Sequence, residues 1–218
     1  MHRVPAFDVD DPAGLLADLV GVAPAVLVSR AGDALESTIL PMLYDPRGDA
    51  PHGVLAGHVA RTNPLVRDGH GGEAIVVVNG PEGYITPSWY ASKRDHGKVV
   101  PTWDYVTVQA NGPLVLHDDP AWLLGNVTAL TARHERGRPD PWAVTDAPPD
   151  FVDRTLRGIV GVEVPVTRLA AKAKLSQNRP AADVDGVIAG LRAQGTPAAA
   201  ALAAAVAGAR PPDAPPDG

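Results

Sequence analysis

The sequence predicts a mainly β (α+β) fold, an antiparallel barrel with helices added at its ends and edges, on three observations. Short apolar runs follow one another between Gly, Pro, Asn and Asp turns, the pattern of many short strands. From Tyr105 the side chains alternate cleanly, with Val106, Val108 and Ala110 on one face and Tyr105, Thr107 and Gln109 on the other. Helical periodicity is confined to the two ends of the chain and to single insertions, which does not make a βαβ array.

In chain order, Asp10-Asp11-Pro12 supplies an N-cap and a first-turn proline for a helix carrying Leu15, Leu16, Leu19 and Val20. Ala25–Val28 reads as a buried strand, and Ala31-Gly32-Asp33 turns the chain into a second strand, Ser37 to Asp45. Val54–Ala60 is a third strand ending at Asn63-Pro64. A turn at Gly69-His70-Gly71-Gly72 leads to a fourth strand, Glu73 to Asn79, and Gly80–Gly83 reads as a tight connection. Asn111-Gly112 bends the chain before Leu114–His117. Asp118-Asp119-Pro120 caps the longest helix, whose stripe is Trp122, Leu123, Val127, Leu130 and His134. A proline-rich bridge, a short helix at Phe151–Arg157 and a strand from Ile159 to about Leu169 follow. Ala171–Arg179 reads as a polar loop, and Pro180 opens a helix with Val184, Val187, Ile188 and Leu191 on one face, ended by Gly195. Residues 1–195 are expected to form one cofactor-binding domain and 196–218 an Ala/Pro-rich helix with a disordered tail.

Composition narrows the function. The 218 residues contain no cysteine, which excludes disulfides, thiolate metal sites and a cysteine nucleophile. A net charge of −6 argues against a sequence-independent grip on nucleic acid. No apolar run reaches membrane-spanning length and no basic-then-apolar leader opens the chain, so a cytoplasmic protein is expected. GxGxxG, P-loop and GxSxG motifs are missing from the sequence.

Chemistry concentrates in Tyr84–Tyr105, which holds two of the four tryptophans and three of the four tyrosines among cations and hydroxyls. Such a stretch suits a flat, anionic ligand, its rings stacking on the plane while Lys, Arg and hydroxyls meet phosphate or carboxylate. A core corner with packing aromatics and solvated charges fits the same composition. Lys172, Lys174 and Arg179 with Ser176, Gln177 and Asn178 form a second polar cluster suited to phosphate or carboxylate. The seven histidines show no metal-site spacing. His58 stands out because Arg61 and Asn63 follow it at a strand end, although a half-buried structural histidine fits there too. His2, His70 and His96 read as solvated, and His134 rides the polar edge of its helix.

In the segments GHVARTNP, YITPSWYASK, HGKVVPTWDY and KLSQNRP, the chain resembles the PaiB family of FMN-binding negative transcriptional regulators, from about Val4 to Leu191. The resemblance implies a split β-barrel of the FMN-binding, flavin-reductase type with peripheral helices, assembled as a homodimer with its cofactor at the subunit interface. It also implies a cofactor region holding Ser88, Trp89, Tyr90, Lys98, Thr102, Trp103 and Tyr105, joined by His58, Arg61, Asn63, Lys174, Ser176, Gln177, Asn178 and Arg179.

Three positions depart from the family pattern. Ile39 follows Thr38 where the family has histidine, Ala173 stands in place of a tryptophan, and Asp104 in place of an asparagine. Trp→Ala empties a large volume. One branch similar to this family, the piperazate synthases, binds haem b in place of FMN and closes N5-hydroxy-L-ornithine into a cyclic hydrazine. That resemblance implies haem b on His58, with His117 as second choice of ligand, and Arg61, Lys174 or Arg179 on propionates or substrate carboxylate. His58, Arg61 and Lys174 are then the expected catalytic set. The alternative is an FMN-binding regulator or a flavin-dependent reductase.

Overall fold

A computed structural model describes residues 1–2, 4–68 and 72–210. The expected turn at Gly69–Gly72, apart from Gly72, and the Pro/Asp tail from 211 onward lie outside the described residues. After a 3₁₀ turn at Pro5–Phe7 come α1 (Pro12–Leu19), β1 (Ala25–Ala31), β2 (Ala34–Leu40), β3 (Leu43–Asp45), β4 (Val54–Ala60) and α2 (Pro64–Asp68). Next are β5 (Glu73–Ile85), a 3₁₀ turn at Pro87–Trp89, α3 (Ser92–Asp95), β6 (Thr102–Pro113), β7 (Val115–His117) and α4 (Pro120–Glu135). A 3₁₀ turn at Val144–Asp146 precedes α5 (Pro149–Leu156), β8 (Ile159–Pro165), β9 (Arg168–Lys174), α6 (Ala181–Ala193) and α7 (Pro197–Gly208).

The strands form a five-stranded sheet, β2-β1-β5-β6-β9, and a four-stranded sheet, β3-β4-β8-β7. The pairs β1–β2, β1–β5, β3–β4, β4–β8 and β7–β8 are antiparallel. Neither sheet closes on itself in this order. The hairpin of β1 and β2 pairs Ala25 with Leu40 through to Ala31 with Ala34, and Gly32 at φ 59° makes the turn between them.

Four sequence expectations change. The strand from Ser37 to Asp45 is two strands in different sheets, separated at Pro41, which has no N–H to give a ladder. The connection at Gly80–Gly83 is the second half of β5; Gly83 serves close packing, since a Cβ there would stand 2.8 Å from Leu202 Cδ2. Asn111-Gly112 continues β6 to Pro113. The strand from Ile159 is two strands, and the polar segment Ala171–Lys174 belongs to β9, at the edge of the larger sheet.

The caps follow the sequence: Asp11 accepts from Gly14 N–H at the start of α1, and Asp119 from Trp122 N–H at the start of α4. Contacts divide the chain into two compact units. The first comprises Met1–Asp10, Asn79–Thr107 and Ala171–Gly218, the second Asp11–Val78 and Val108–Ala170. The core of the second unit is built from Leu16, Leu27, Met42, Leu55, Val76, Val108 and Val162, all buried. In the first unit Ile85, Val106, Val184, Val187, Ile188, Leu191 and Leu202 are buried. Among the described residues no helix is long and apolar enough to cross a membrane.

Candidate functional site

In the second unit, strand alternation on β4 places Val54, Ala56 and His58 on one face and buries Leu55, Gly57 and Val59 on the other. His58 is half-buried, and its Nδ1 lies 3.2 Å from Asn126 Oδ1 on α4. A carboxamide oxygen only accepts, so Nδ1 is the donor in this contact and Nε2 is the ring nitrogen turned away from Asn126. An imidazole fixed in that way is prepared as a ligand through Nε2. Asn126 is itself buried. The expected stripe of α4 passed over it; the signal was a carboxamide between Leu123 and Leu130 at helical spacing.

Arg61 and Asn63 are engaged within the chain. Arg61 donates from Nε to Arg157 O at 2.8 Å, from Nη1 to Asp118 at 3.1 Å, and from Nη2 to Asp118 and to Ile159 O. Four of its five N–H groups have partners. The Arg61 guanidinium hydrogen-bonded to Asp118 holds that carboxyl below its ordinary range. Asn63 donates to Thr38 Oγ1 at 2.9 Å and accepts from Leu65 N–H, closing the first turn of α2. His117 stacks on Trp122 with 4.2 Å between ring centroids and 8° between planes, and its Nε2 stands 3.5 Å from Glu163.

An open groove of about 720 Å³ lies in this unit, lined by Leu43, Val54, Ala56, Trp122 and Pro165 on its apolar side. Its polar lining is Tyr44, Asp45, Asp49, Asn126 and Glu163, with no lysine or arginine. Volume and apolar floor suit a cofactor or substrate. The three carboxylates favour a cationic group and oppose the phosphate of a flavin nucleotide and the propionates of a haem alike. Among the described residues no cluster of His, Asp or Glu is arranged to hold a bare metal ion.

In the first unit the aromatic stretch forms a structured corner. Trp89 packs on α6: a Cβ on Gly186 would stand 1.9 Å from the Trp89 carbonyl oxygen, and one on Gly190 2.3 Å from its indole ring. Asp183 on α6 is buried and accepts from Ser92 N–H at 2.9 Å and Ser92 Oγ at 2.6 Å, securing α3. Ser88 Oγ accepts from Lys93 Nζ. Tyr90 is buried with no hydrogen-bond partner for its hydroxyl, and Arg179 lies over the ring face at 4.5 Å. Burial pushes the Tyr90 phenol up, against the opposing pull of Arg179.

Trp103 is exposed and meets Tyr84 edge to face at 6.3 Å, while Lys172 lies over the Tyr105 ring. Gln177 folds onto its own backbone, accepting from Leu175 N–H and donating to Ala173 O. Lys98 and Asn178 are exposed, and no partner for either side chain is present among the described residues. Of the expected set, the structure thus joins Thr102, Trp103, Lys174 and Ser176, and separately Tyr90 with Arg179. Ile39, on β2 of the second unit, is exposed.

Asp104 joins the first of these groups. It is fully buried, accepts from Ser176 Oγ at 2.6 Å and stands 3.5 Å from Lys174 Nζ. Lys174 also donates to Thr102 Oγ1 at 2.5 Å and to Trp103 O at 2.6 Å. Burial raises the Asp104 carboxyl above its ordinary value of 3.8, with Ser176 and Lys174 opposing. A carboxyl raised in the folded state contributes stability in acid, and loses that contribution as pH rises through the folded value. Relative to Asp104→Asn, the wild type is therefore expected to lose stability as pH climbs from below 3.8 toward neutrality. Urea melts of both proteins across that range check the sign.

Comparison with known proteins places this geometry in context. Residues 1–168 match the family model described as "Putative FMN-binding domain". The chain is 32% identical over 168 residues to the protease synthase and sporulation protein PAI 2 of Bacillus subtilis, covering 77% of each. Among solved structures, it resembles a conserved hypothetical protein of Mycobacterium tuberculosis with a TM-score of 0.52 at 14% identity, over 83% of this chain and 94% of that one. It also resembles an FAD and haem binding protein of Mycobacterium smegmatis, with a TM-score of 0.50 at 16% identity, over 74% and 70%. The fold is accordingly of the flavin-binding split-barrel type, two antiparallel sheets with peripheral helices.

Proposed function

Because the chain belongs to the PaiB-like family of FMN-binding domains, we propose that it is a cofactor-dependent enzyme of that family holding haem b on His58. We propose further that it closes N5-hydroxy-L-ornithine into piperazic acid, the reaction of the piperazate synthases it resembles. The observation that carries the cofactor reading is the half-buried imidazole of His58, oriented through Nδ1 by the buried Asn126. The M. smegmatis protein described as binding both FAD and haem supports the same fold type as a host for either group.

Haem, when bound, supplies a Lewis-acid iron toward the hydroxyl that leaves. The chain does the rest. His58 is oriented by Asn126, and the groove carboxylates Asp45, Asp49 and Glu163 attract the ammonium groups of the substrate. Folding the substrate so that its α-nitrogen meets N5 forms the N–N bond as the N5–O bond breaks, and the hydroxyl departs as water with a proton from the amine. On this reading a groove carboxylate takes up that proton. Arg61 and Lys174 are given no catalytic role here, because their donors already serve the chain.

A flavin reading is favoured by one different observation, the exposed Trp103 beside Tyr84, which offers a stacking face to an isoalloxazine. Flavin would make the protein a sensor or reductase. As a partner we propose a second copy of the chain, supported by the exposed Leu35 and Ile39 on β2.

The absorption spectrum of the full chain, expressed with a haem precursor, separates the two cofactors. A Soret band is expected, lost or shifted in His58→Ala, with haem affinity reduced about 10–100-fold in Asn126→Ala. A flavin spectrum with no Soret band would sink the haem reading. A Soret band unmoved by His58→Ala would refute this choice of ligand.

A further inference from the structure

The donors around Asp104 are those by which proteins hold anionic ligands. An ammonium, a hydroxyl on a left-handed turn and a nearby guanidinium suit phosphate or carboxylate. Here they face a carboxylate of the chain itself. Lys174 has three N–H bonds, and these reach Thr102 Oγ1, Trp103 O and Asp104 Oδ1. Ser176 has φ 62°, uncommon for a residue with a side chain, and from that turn its hydroxyl donates to Asp104 Oδ2. Arg179 N–H donates back to Ser176 O, closing the turn. Asp104 has no exposed surface, so neither water nor a ligand shares its carboxylate from outside.

We infer that Asp104 is a built-in anion that sets the charge selectivity of this corner of the first unit. With its carboxylate in place, the corner is neutralised and refuses phosphate and carboxylate ligands. Without that charge, the partly exposed Lys174 ammonium is uncompensated and becomes the contact for an anion. The inference rests on the proposed function only in explaining why a flavin phosphate finds no cradle here.

Inorganic phosphate is the probe, titrated calorimetrically into the full chain, with haem loading followed separately by the Soret band. Wild type and Lys174→Met are expected to bind phosphate equally weakly. Asp104→Asn is expected to bind it at least about tenfold more tightly, a gain that disappears in Asp104→Asn/Lys174→Met. The inference is overturned if Lys174→Met alone weakens phosphate binding by a similar factor, since Lys174 would then already be free. It is also overturned if folded Asp104→Asn binds no better than wild type. Asp104→Ser replaces it if the asparagine variant does not fold, and the Lys174→Met comparison decides on wild-type protein in either case. Absence of a Soret band would remove the haem reading and leave the phosphate result standing.

Discussion

Gly186→Ala is expected to destabilise the first unit by about 3 kcal/mol, the upper end of the overpacking range. The new Cβ would stand 1.9 Å from the carbonyl oxygen of Trp89 and 3.1 Å from its carbonyl carbon. Both atoms are backbone, so no rotamer change relieves the clash, and α6 must lift away from the 3₁₀ turn at Pro87–Trp89. Lifting it also strains the hydrogen bonds from Ser92 to Asp183. The measurement is the urea midpoint, with near-ultraviolet circular dichroism reporting the tryptophan environment. Gly208→Ala is the control, because a Cβ there meets nothing within 4 Å. A Gly186→Ala protein as stable as that control would show that the approach of α6 to Trp89 is not as close as described.

Leu202→Ala carries the second large effect, an expected loss of about 2–5 kcal/mol. Leu202 is fully buried on α7, and its Cδ2 occupies the space a Cβ on Gly83 would need. Ala199, Ala203 and Val206 are buried on the same helix. An Ala-rich helix of this length is marginal alone in water, so its stability comes from that packing. Chain ending after Gln194 is expected to lose the same contribution and more. Thermal melts of Leu202→Ala and the truncated chain test this; unchanged melting would make α7 an independent appendage.

The helices and the alternation of β6 were legible in the sequence because they depend on near neighbours. Asp11 and Asp119 cap helices three residues away, and the face of α6 repeats at helical spacing. Strand ends were less legible. Pro41 divides a run whose apolar pattern continues past it, and β9 is rich in polar side chains because an edge strand tolerates lysine. The site was legible as residue types and not as partnerships. Asn126 meets His58 from 68 residues away and Asp183 meets Ser92 from 91 away, distances over which no periodicity carries information. For Arg61 and Lys174 the sequence shows a cation, but only the fold shows that its donors are already engaged.

Strand β2 has a consequence for handling the protein. It is the outermost strand of its sheet, and Leu35 and Ile39 on one of its faces are each 72% exposed. Where the proposed second copy does not cover it, an outermost strand with an apolar row is a template on which further chains can add by strand pairing. Glu36, next to Leu35, and Arg30, paired with Leu35 across the hairpin, are charged side chains that oppose such stacking. Colloidal stability should therefore depend on that edge more than on the net charge of −6. Concentrated stocks should cloud with time and clear when Ile39 is replaced by lysine.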